Sequence, residues 1–198
     1  VTTILIPTLD EAAAWMTGET AKARAGIDCD VLIVEDWTRS GYTRAVNRGL
    51  ALIEASDARD DDVCILVDDC EPCEDWLRML QEALRERADL PAWFAGPSGP
   101  CRTPPQNSGR PGDKRRPCVV PHLAGFCLYI TREALDKLGG LDEAYTHYAS
   151  DVDLQRRAQR DYGAKSVWVP GVYVDHGLHP PHMEWWRKDQ DLLYSRWR

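Results

Sequence analysis

No apolar run in this sequence approaches the ~20 residues that a membrane-crossing helix needs, which excludes a helical membrane span. A basic segment followed by an apolar one, the mark of secretion, is also lacking, so a cytoplasmic location is expected. Positive charge is in deficit: 24 Lys and Arg stand against 32 Asp and Glu, giving a formal charge of −8. That balance excludes a uniformly basic surface for nonspecific nucleic-acid binding, though not a local basic patch. There is no Gly-x-Gly-x-x-Gly turn and no Gly-x-x-x-x-Gly-Lys loop, which argues against dinucleotide and P-loop sites. No internal repeat is visible. The seven cysteines are an odd number and fit a complete disulfide framework poorly. Cys70-x-x-Cys73 with Cys101 and Cys118 offers four thiolates for zinc, but the second pair lacks tight spacing, so reduced thiols are expected. Cys64 and Cys127 sit in apolar runs and read as small core residues.

What is present is a 198-residue chain that is 43% hydrophobic and 28% charged, enough for one globular domain with a real core. Its first half alternates short apolar runs with helical patterns. Thr3 to Pro7 reads as a buried strand ended by Pro7, and Asp10 caps a helix through about Arg24. Val31 to Val34 and Val63 to Val67 are further strands, with helices from Tyr42 to Ala55 and Glu74 to Arg87. Trp76, Leu77, Leu80 and Leu84 share one face of the latter. Strands alternating with helices predict β-α-β units and a mostly parallel sheet flanked by helices, an α/β fold.

Ligands of such sheets bind at the carboxyl ends of the strands. Here those ends carry Pro7-Thr8-Leu9-Asp10, Glu35-Asp36 and Asp68-Asp69. Three acidic clusters along one edge point to a cation or a polar ligand rather than to packing. Residues 96–121 form a Pro/Gly-rich basic stretch with no periodicity, and loops of that length are functional or disordered. Beyond it lie a strand from Gly125 to Ile130, a helix from Arg132 to Leu138 stopped by Gly139-Gly140, and a helix from Asp151 to Arg160. Two short strands follow, Ser166 to Val169 and Val172 to Val174. The tail from about Pro181 is an amphipathic helix. His176, His179 and His182 invite a metal-box reading, but Pro180-Pro181 breaks any helix that aligns them, leaving His176 with the weight.

Several of these stretches resemble the family 2 glycosyltransferases, enzymes of GT-A (Rossmann-like) fold that use nucleotide-sugar donors. Ile4 to Thr8 looks like the family's opening strand, and Val34-Glu35-Asp36-Trp37-Thr38 like its Val-Asp-Asp-Gly-Ser strand end. Asn47-Arg48-Gly49 looks like its Asn-x-Gly helix. Gly125 to Ile130, Thr131 to Leu135, Gly139 to Glu143, Asp151 to Leu154, Val169-Pro170 and His176 follow in family order. The resemblance covers about residues 1–178, leaving the basic loop and the tail outside it, and a single domain over 1–198 is expected. Within it, 1–95 is the nucleotide-sugar half, 96–121 the basic loop, 122–178 the acceptor and catalytic half, and 179–198 a helical tail.

It also implies roles. Thr8, Glu35 and Asp36 correspond to positions that hold base and ribose, with Pro7, Asp10, Arg44 and Asp68 completing the donor side. Apart from the resemblance, Arg39 and Arg44 are positively charged residues that could reach the donor phosphates, with solvated surface charge the preferred reading for either alone. Asp68-Asp69 correspond to an Asp-x-Asp that holds Mn²⁺ or Mg²⁺ against the diphosphate, with metal ligands expected at Asp69 and His176. The motif is incomplete: aligned on Pro72 and Trp76 its first Asp falls on Val67, and aligned on Asp68 its last falls on Cys70. Asp151 corresponds to the Asp of a Glu-Asp motif, with Ser150 in place of the Glu, and is the expected general base for inverting transfer. Asp153 is expected to cap or orient its helix.

Between Cys101 and Cys118, five basic residues (Arg102, Arg110, Lys114, Arg115, Arg116) face one acid, Asp113. The tail adds Arg187, Lys188, Arg196 and Arg198 among Trp185, Trp186, Tyr194 and Trp197. An acceptor side built from Arg115, Arg116, Gly125 and Trp185 is therefore expected, suited to a phosphate-bearing glycan or to a hydroxylated base in DNA. A UDP-sugar donor is the first expectation. A nucleotidyltransferase and a non-catalytic sugar-nucleotide-binding module are the readings from other classes.

Overall fold

The computed structural model describes residues 1–87, 89–177 and 180–197. His179 and Arg198, named above, lie outside these. In chain order the elements are β1 (Thr2–Thr8), α1 (Glu11–Ala23), β2 (Cys29–Glu35), α2 (Tyr42–Glu54), β3 (Asp62–Leu66), β4 (Cys70–Pro72) and α3 (Trp76–Arg85). Then come β5 (Ala92–Ser98), a 3-10 turn (Gln106–Ser108), β6 (Cys118–Val120), β7 (Cys127–Ile130), α4 (Arg132–Leu138), α5 (Ser150–Tyr162), β8 (Lys165–His176) and α6 (Met183–Arg196).

The strands form one mixed sheet in the order β2-β1-β3-β7-β5-β8-β4, with β6 also paired to β8. β1, β2, β3, β5 and β8 run one way, while β4, β6 and β7 run against them. The reversal of β7 has a consequence for the site: its first residues, not its last, lie at the carboxyl edge of its neighbours.

Strand periodicity sorts the core. Ile4, Ile6, Cys64, Leu66, Cys127, Tyr129 and Val167 face α1 and α3, where Trp76, Leu77 and Leu80 are fully buried. Leu5, Val63, Ile65, Leu128, Ile130 and Trp168 face the other way, onto α2, α4 and α5 through Val46, Ala134 and Leu154. Successive strand side chains alternate between faces, and every residue of β1 is buried, so this strand is covered on both sides.

Several elements differ from the sequence expectation. Pro7 does not end β1: it pairs with Val34, past the end of the ladder to β3, where a missing N–H is tolerated. The two expected strands around Pro170-Gly171 are the single β8, because a register shift opposite Pro97 and Ser98 absorbs the turn residues. β4, β5 and β6 had no clear period of their own. The 96–121 stretch is largely built in: Gly96 to Ser98 belong to β5 and β6 pairs with β8. Fully buried Gln106 donates to the Pro97 carbonyl (2.9 Å) and accepts from the Ala124 N–H (2.7 Å).

Helix α2 presses on β1 at Gly49, where a Cβ would overlap Leu5 Cδ1 and crowd Val34. Gly49→Ala is expected to destabilise the fold by ~1–3 kcal/mol through overpacking. A urea midpoint equal to the parent's would show that α2 can shift freely.

Candidate active site at the carboxyl edge

The carboxyl edge opens into a cavity of about 670 Å³. Of the sequence-predicted residues, Pro7, Thr8, Asp36, Asp68, Asp69, Gly125, Asp151, His176 and Trp185 line it. Asp10, Glu35, Arg44, Arg115 and Arg116 do not, and each has a local reason. Asp10 caps α1, accepting from the N–H groups of Ala12 and Ala13 at 3.0 and 3.1 Å. Glu35 offers its backbone carbonyl to Arg48. Arg44 pairs with Glu143 at 3.4 Å. Arg115 is held by Asp113 at 2.6 Å and stacks over Trp168 at 4.7 Å, and Arg116 is exposed outside the cavity. From the basic loop, only Cys101, Arg102 and Thr103 line the cavity.

At the β2 end, Asp36 is buried and its carboxylate is committed to its own turn. It accepts from Ser40 Oγ (2.8 Å), Thr38 Oγ1 (3.2 Å) and the Gly41 N–H (2.9 Å). Burial pushes this carboxyl up, but the hydrogen bonds from Ser40, Gly41 and Thr38 outweigh it and hold it below its ordinary value. The same turn carries Arg39 in the left-handed region (φ 50°) and aims it at the cavity. At the next strand end the Thr8 hydroxyl donates to Asp68, tying β1 to the residues after β3.

At the far side, β4 pairs with the end of β8, which sets Cys70 opposite His176 and brings Asp69 beside the ring. Asp69 Oδ1 is 3.6 Å from His176 Nε2. His176 Nδ1 lies 3.1 Å from the Pro100 carbonyl, and the ring stacks on Phe126. A carbonyl only accepts, so Nδ1 carries the proton, and in the neutral ring Nε2 is a lone pair facing a carboxylate oxygen. Two acceptors face to face make a donor set that a cation suits. No group of three His, Cys, Asp or Glu that could hold a metal occurs among the described residues. Two protein ligands completed by oxygens of a ligand is how Mg²⁺-type sites with phosphates are commonly built. The residues fit a divalent cation of that kind.

Between these ends stands Asp151, in the first turn of α5. Its side chain lies against Gly125, just before β7, where a Cβ would come within 3.0 Å of both Asp151 Cβ and Oδ2. The Tyr42 hydroxyl anchors the Gly125 carbonyl at 3.0 Å. Burial pushes the Asp151 carboxyl above its ordinary value, and the N–H groups of Val152 and Gly125 offset this only in part. Asp153 points elsewhere: it accepts from Tyr145 (3.2 Å), Trp197 (2.9 Å) and Arg157 (2.9 Å).

Sequence reasoning missed the device that holds this region. Asp189 of α6 is fully buried, and its carboxylate accepts the N–H groups of Thr146 (3.0 Å), His147 (2.8 Å) and Tyr148 (2.9 Å). These residues lead through Ala149, which is left-handed at φ 64°, into the first turn of α5. His147 lines the cavity, accepts the Tyr42 N–H at Nδ1 (3.4 Å) and contacts the Trp185 ring. A readable signal existed: Trp185, Asp189 and Leu193 fall four residues apart, which puts a carboxylate on the inner stripe of the tail helix.

No protein-family profile matches the chain. Two curated proteins from strains of Mycobacterium tuberculosis match, each described as N-acetylglucosaminyl-diphospho-decaprenol L-rhamnosyltransferase. They are 43% identical to this chain over 63 residues, which is 32% of this chain. The matched segment spans only a fifth (20%) of their length. Among solved structures, GalNAc-T7 with UDP, GalNAc and Mn²⁺ superposes with a TM-score of 0.67 at 15% identity, covering 89% of this chain and 43% of that one. The mannosyltransferase PcManGT from Pyrobaculum calidifontis, in complex with GDP-Man and Mn²⁺, gives 0.61 at 16% identity, over 94% and 59%. The fold is that of the GT-A glycosyltransferases.

Asp189→Ala leaves three backbone N–H groups without their acceptor, and orphaned buried donors cost ~1–3 kcal/mol each. The variant is expected to lose at least about 2 kcal/mol of stability. Hydrogen exchange at Thr146 to Tyr148 should quicken while β1 stays protected. Unchanged exchange in that loop would show that α6 does not hold it.

Proposed function

We propose that this chain is the catalytic domain of an inverting glycosyltransferase, moving a hexose-type sugar from a nucleotide-sugar donor, UDP-sugar first, to an acceptor hydroxyl. The observation that carries this is the Asp151 carboxyl, raised by burial, opening onto the same cavity as Asp69 and His176. The partial likeness to rhamnosyltransferases and the GT-A fold support it. Asp151 takes the acceptor proton as the acceptor oxygen forms its bond to the anomeric carbon. The bond from that carbon to the diphosphate oxygen breaks, and its electron pair leaves with the nucleoside diphosphate. A raised pKa suits a base that works near neutrality. Asp69 and His176 would hold a divalent cation, Mn²⁺ or Mg²⁺, which when bound offsets charge on the departing diphosphate. Thr8 and Asp68 frame the donor, and the turn of Asp36 shapes its nucleoside end.

For the acceptor, Tyr148, Trp185 and Trp186 offer an aromatic wall on the Asp151 side. We read it as a surface for a saccharide, carried on phosphate as the name of the curated relatives describes for theirs. The reading of a hydroxylated base in DNA drew on the basic loop and the tail together; of these, Arg102, Trp185 and Trp186 line the cavity, and Arg115 and Arg116 do not.

Asp151→Asn is expected to lower transfer by ~10²–10⁴-fold while donor binding persists. Because the folded-state pKa is raised, the ionised carboxylate costs the folded state stability at neutral pH, and this cost disappears as pH falls through the raised value. The Asn variant should therefore unfold at a higher temperature than the parent at neutral pH. Parent activity should decline on acidification with a midpoint above the ordinary carboxylate range. Turnover near the parent's in Asp151→Asn would place the base elsewhere.

Transfer should also stop in excess chelator and return with Mn²⁺, and Asp69→Ala should demand more Mn²⁺ for half-maximal rate. Full activity in chelator would refute the cation requirement.

A further inference from the structure

Four carboxylates line the cavity, Asp36, Asp68, Asp69 and Asp151, against two guanidiniums, Arg39 and Arg102. A diphosphate entering that field is repelled unless positive charge stands beside it. Among the described residues the incomplete Asp-x-Asp leaves Asp69 and His176 as the candidate cation ligands, so fixed charges of the protein must add to what a cation there supplies. Arg39 and Arg102 are both exposed at the cavity, and neither guanidinium makes a hydrogen bond or ion pair with another described residue.

Topology separates the two. Arg39 follows β2 and Arg102 follows β5, four positions apart in the order β2-β1-β3-β7-β5. At a strand spacing of ~4.8 Å the two strand ends stand about 19 Å apart, so the two arginines enter the cavity from opposite ends. Arg39 belongs to the nucleoside end, beside Asp36. Arg102 comes two residues after Pro100, whose carbonyl receives His176 Nδ1 at 3.1 Å. The contact that orients the candidate metal ligand therefore also fixes the root of the Arg102 segment.

We propose that Arg102 binds the donor diphosphate beside Asp69 and His176, supplying positive charge that the incomplete acidic motif does not recruit. This rests on the glycosyltransferase reading above. A guanidinium presents paired N–H donors that match phosphate oxygens and keeps its charge at all working pH values. Held at the edge of the cavity, it meets the diphosphate in the ground state. It also stabilises the charge that gathers there as the sugar leaves.

The test is calorimetric titration of UDP, GDP and their nucleosides into the parent chain, Arg102→Gln and Arg102→Lys, each with Mn²⁺ and with chelator. Arg102 has no partner within the described chain, so these variants keep the fold. Arg102→Gln is expected to weaken diphosphate binding by about tenfold or more in both conditions, the scale of one charged hydrogen bond. Nucleoside affinity should stay unchanged, and Lys should restore part of the loss. Equal diphosphate affinity in parent and Arg102→Gln would overturn the assignment, as would an equal loss for the nucleosides. Intact diphosphate binding with a raised KM for the acceptor would overturn it by moving Arg102 to the acceptor side. A parent chain that binds neither diphosphate under either condition would overturn the glycosyltransferase reading itself, an outcome distinct from failure of Arg102 alone.

Discussion

The cavity depends on one close approach, the Asp151 side chain lying against the Cα of Gly125 with no room for a Cβ between them. That approach requires the reversed direction of β7, which delivers Gly125 to the carboxyl edge instead of the opposite one. It also requires the start of α5 to be held down over the sheet. A wholly parallel sheet would place the residues before β7 on the far side, and Asp151 would face open solvent. The mixed polarity of the sheet is therefore a condition of the site.

The buried carboxylates show by contrast what sets Asp151, half-buried at the cavity, apart. Burying a carboxylate is costly unless donors surround it. Asp36, Asp153 and Asp189 are each met by three or more donors, and no buried side-chain polar atom among the described residues lacks a partner. Those three shape turns and dock a helix. At Asp151 burial outweighs the backbone donors, and the group faces a cavity. A titratable group perturbed by burial within a cleft is where acid-base chemistry concentrates.

Much of this was legible in the sequence, and the failures have physical causes. Apolar strands between amphipathic helices announced β1 to β3 and α1 to α3, and Asp10 announced a cap that the structure forms. The acidic strand ends announced the edge where the cavity opens. β5 was hidden because Ala92–Ser98 carries Gly and Pro, and its strand character comes from β7 and β8 on either side. β4 and β6 are three residues each, too short for any period. Local charge misled at Arg115, where Asp113 two residues away captures the guanidinium at 2.6 Å and holds it over the Trp168 ring, away from the cavity. Asp189 was overlooked because an acid in a charged tail reads as solvated until its position on the inner stripe is counted. Arg39 and Arg102 reach the cavity through loop conformations that no short-range pattern encodes.

The central claim is that a sugar is transferred from a nucleotide-sugar to an acceptor hydroxyl with Asp151 as base. Proton and phosphorus NMR of one reaction mixture tests it most directly. The account predicts a nucleoside diphosphate as the only new phosphorus species and a product whose anomeric configuration is opposite to that of the donor. Release of pyrophosphate, or a product that retains the donor's configuration, would contradict it.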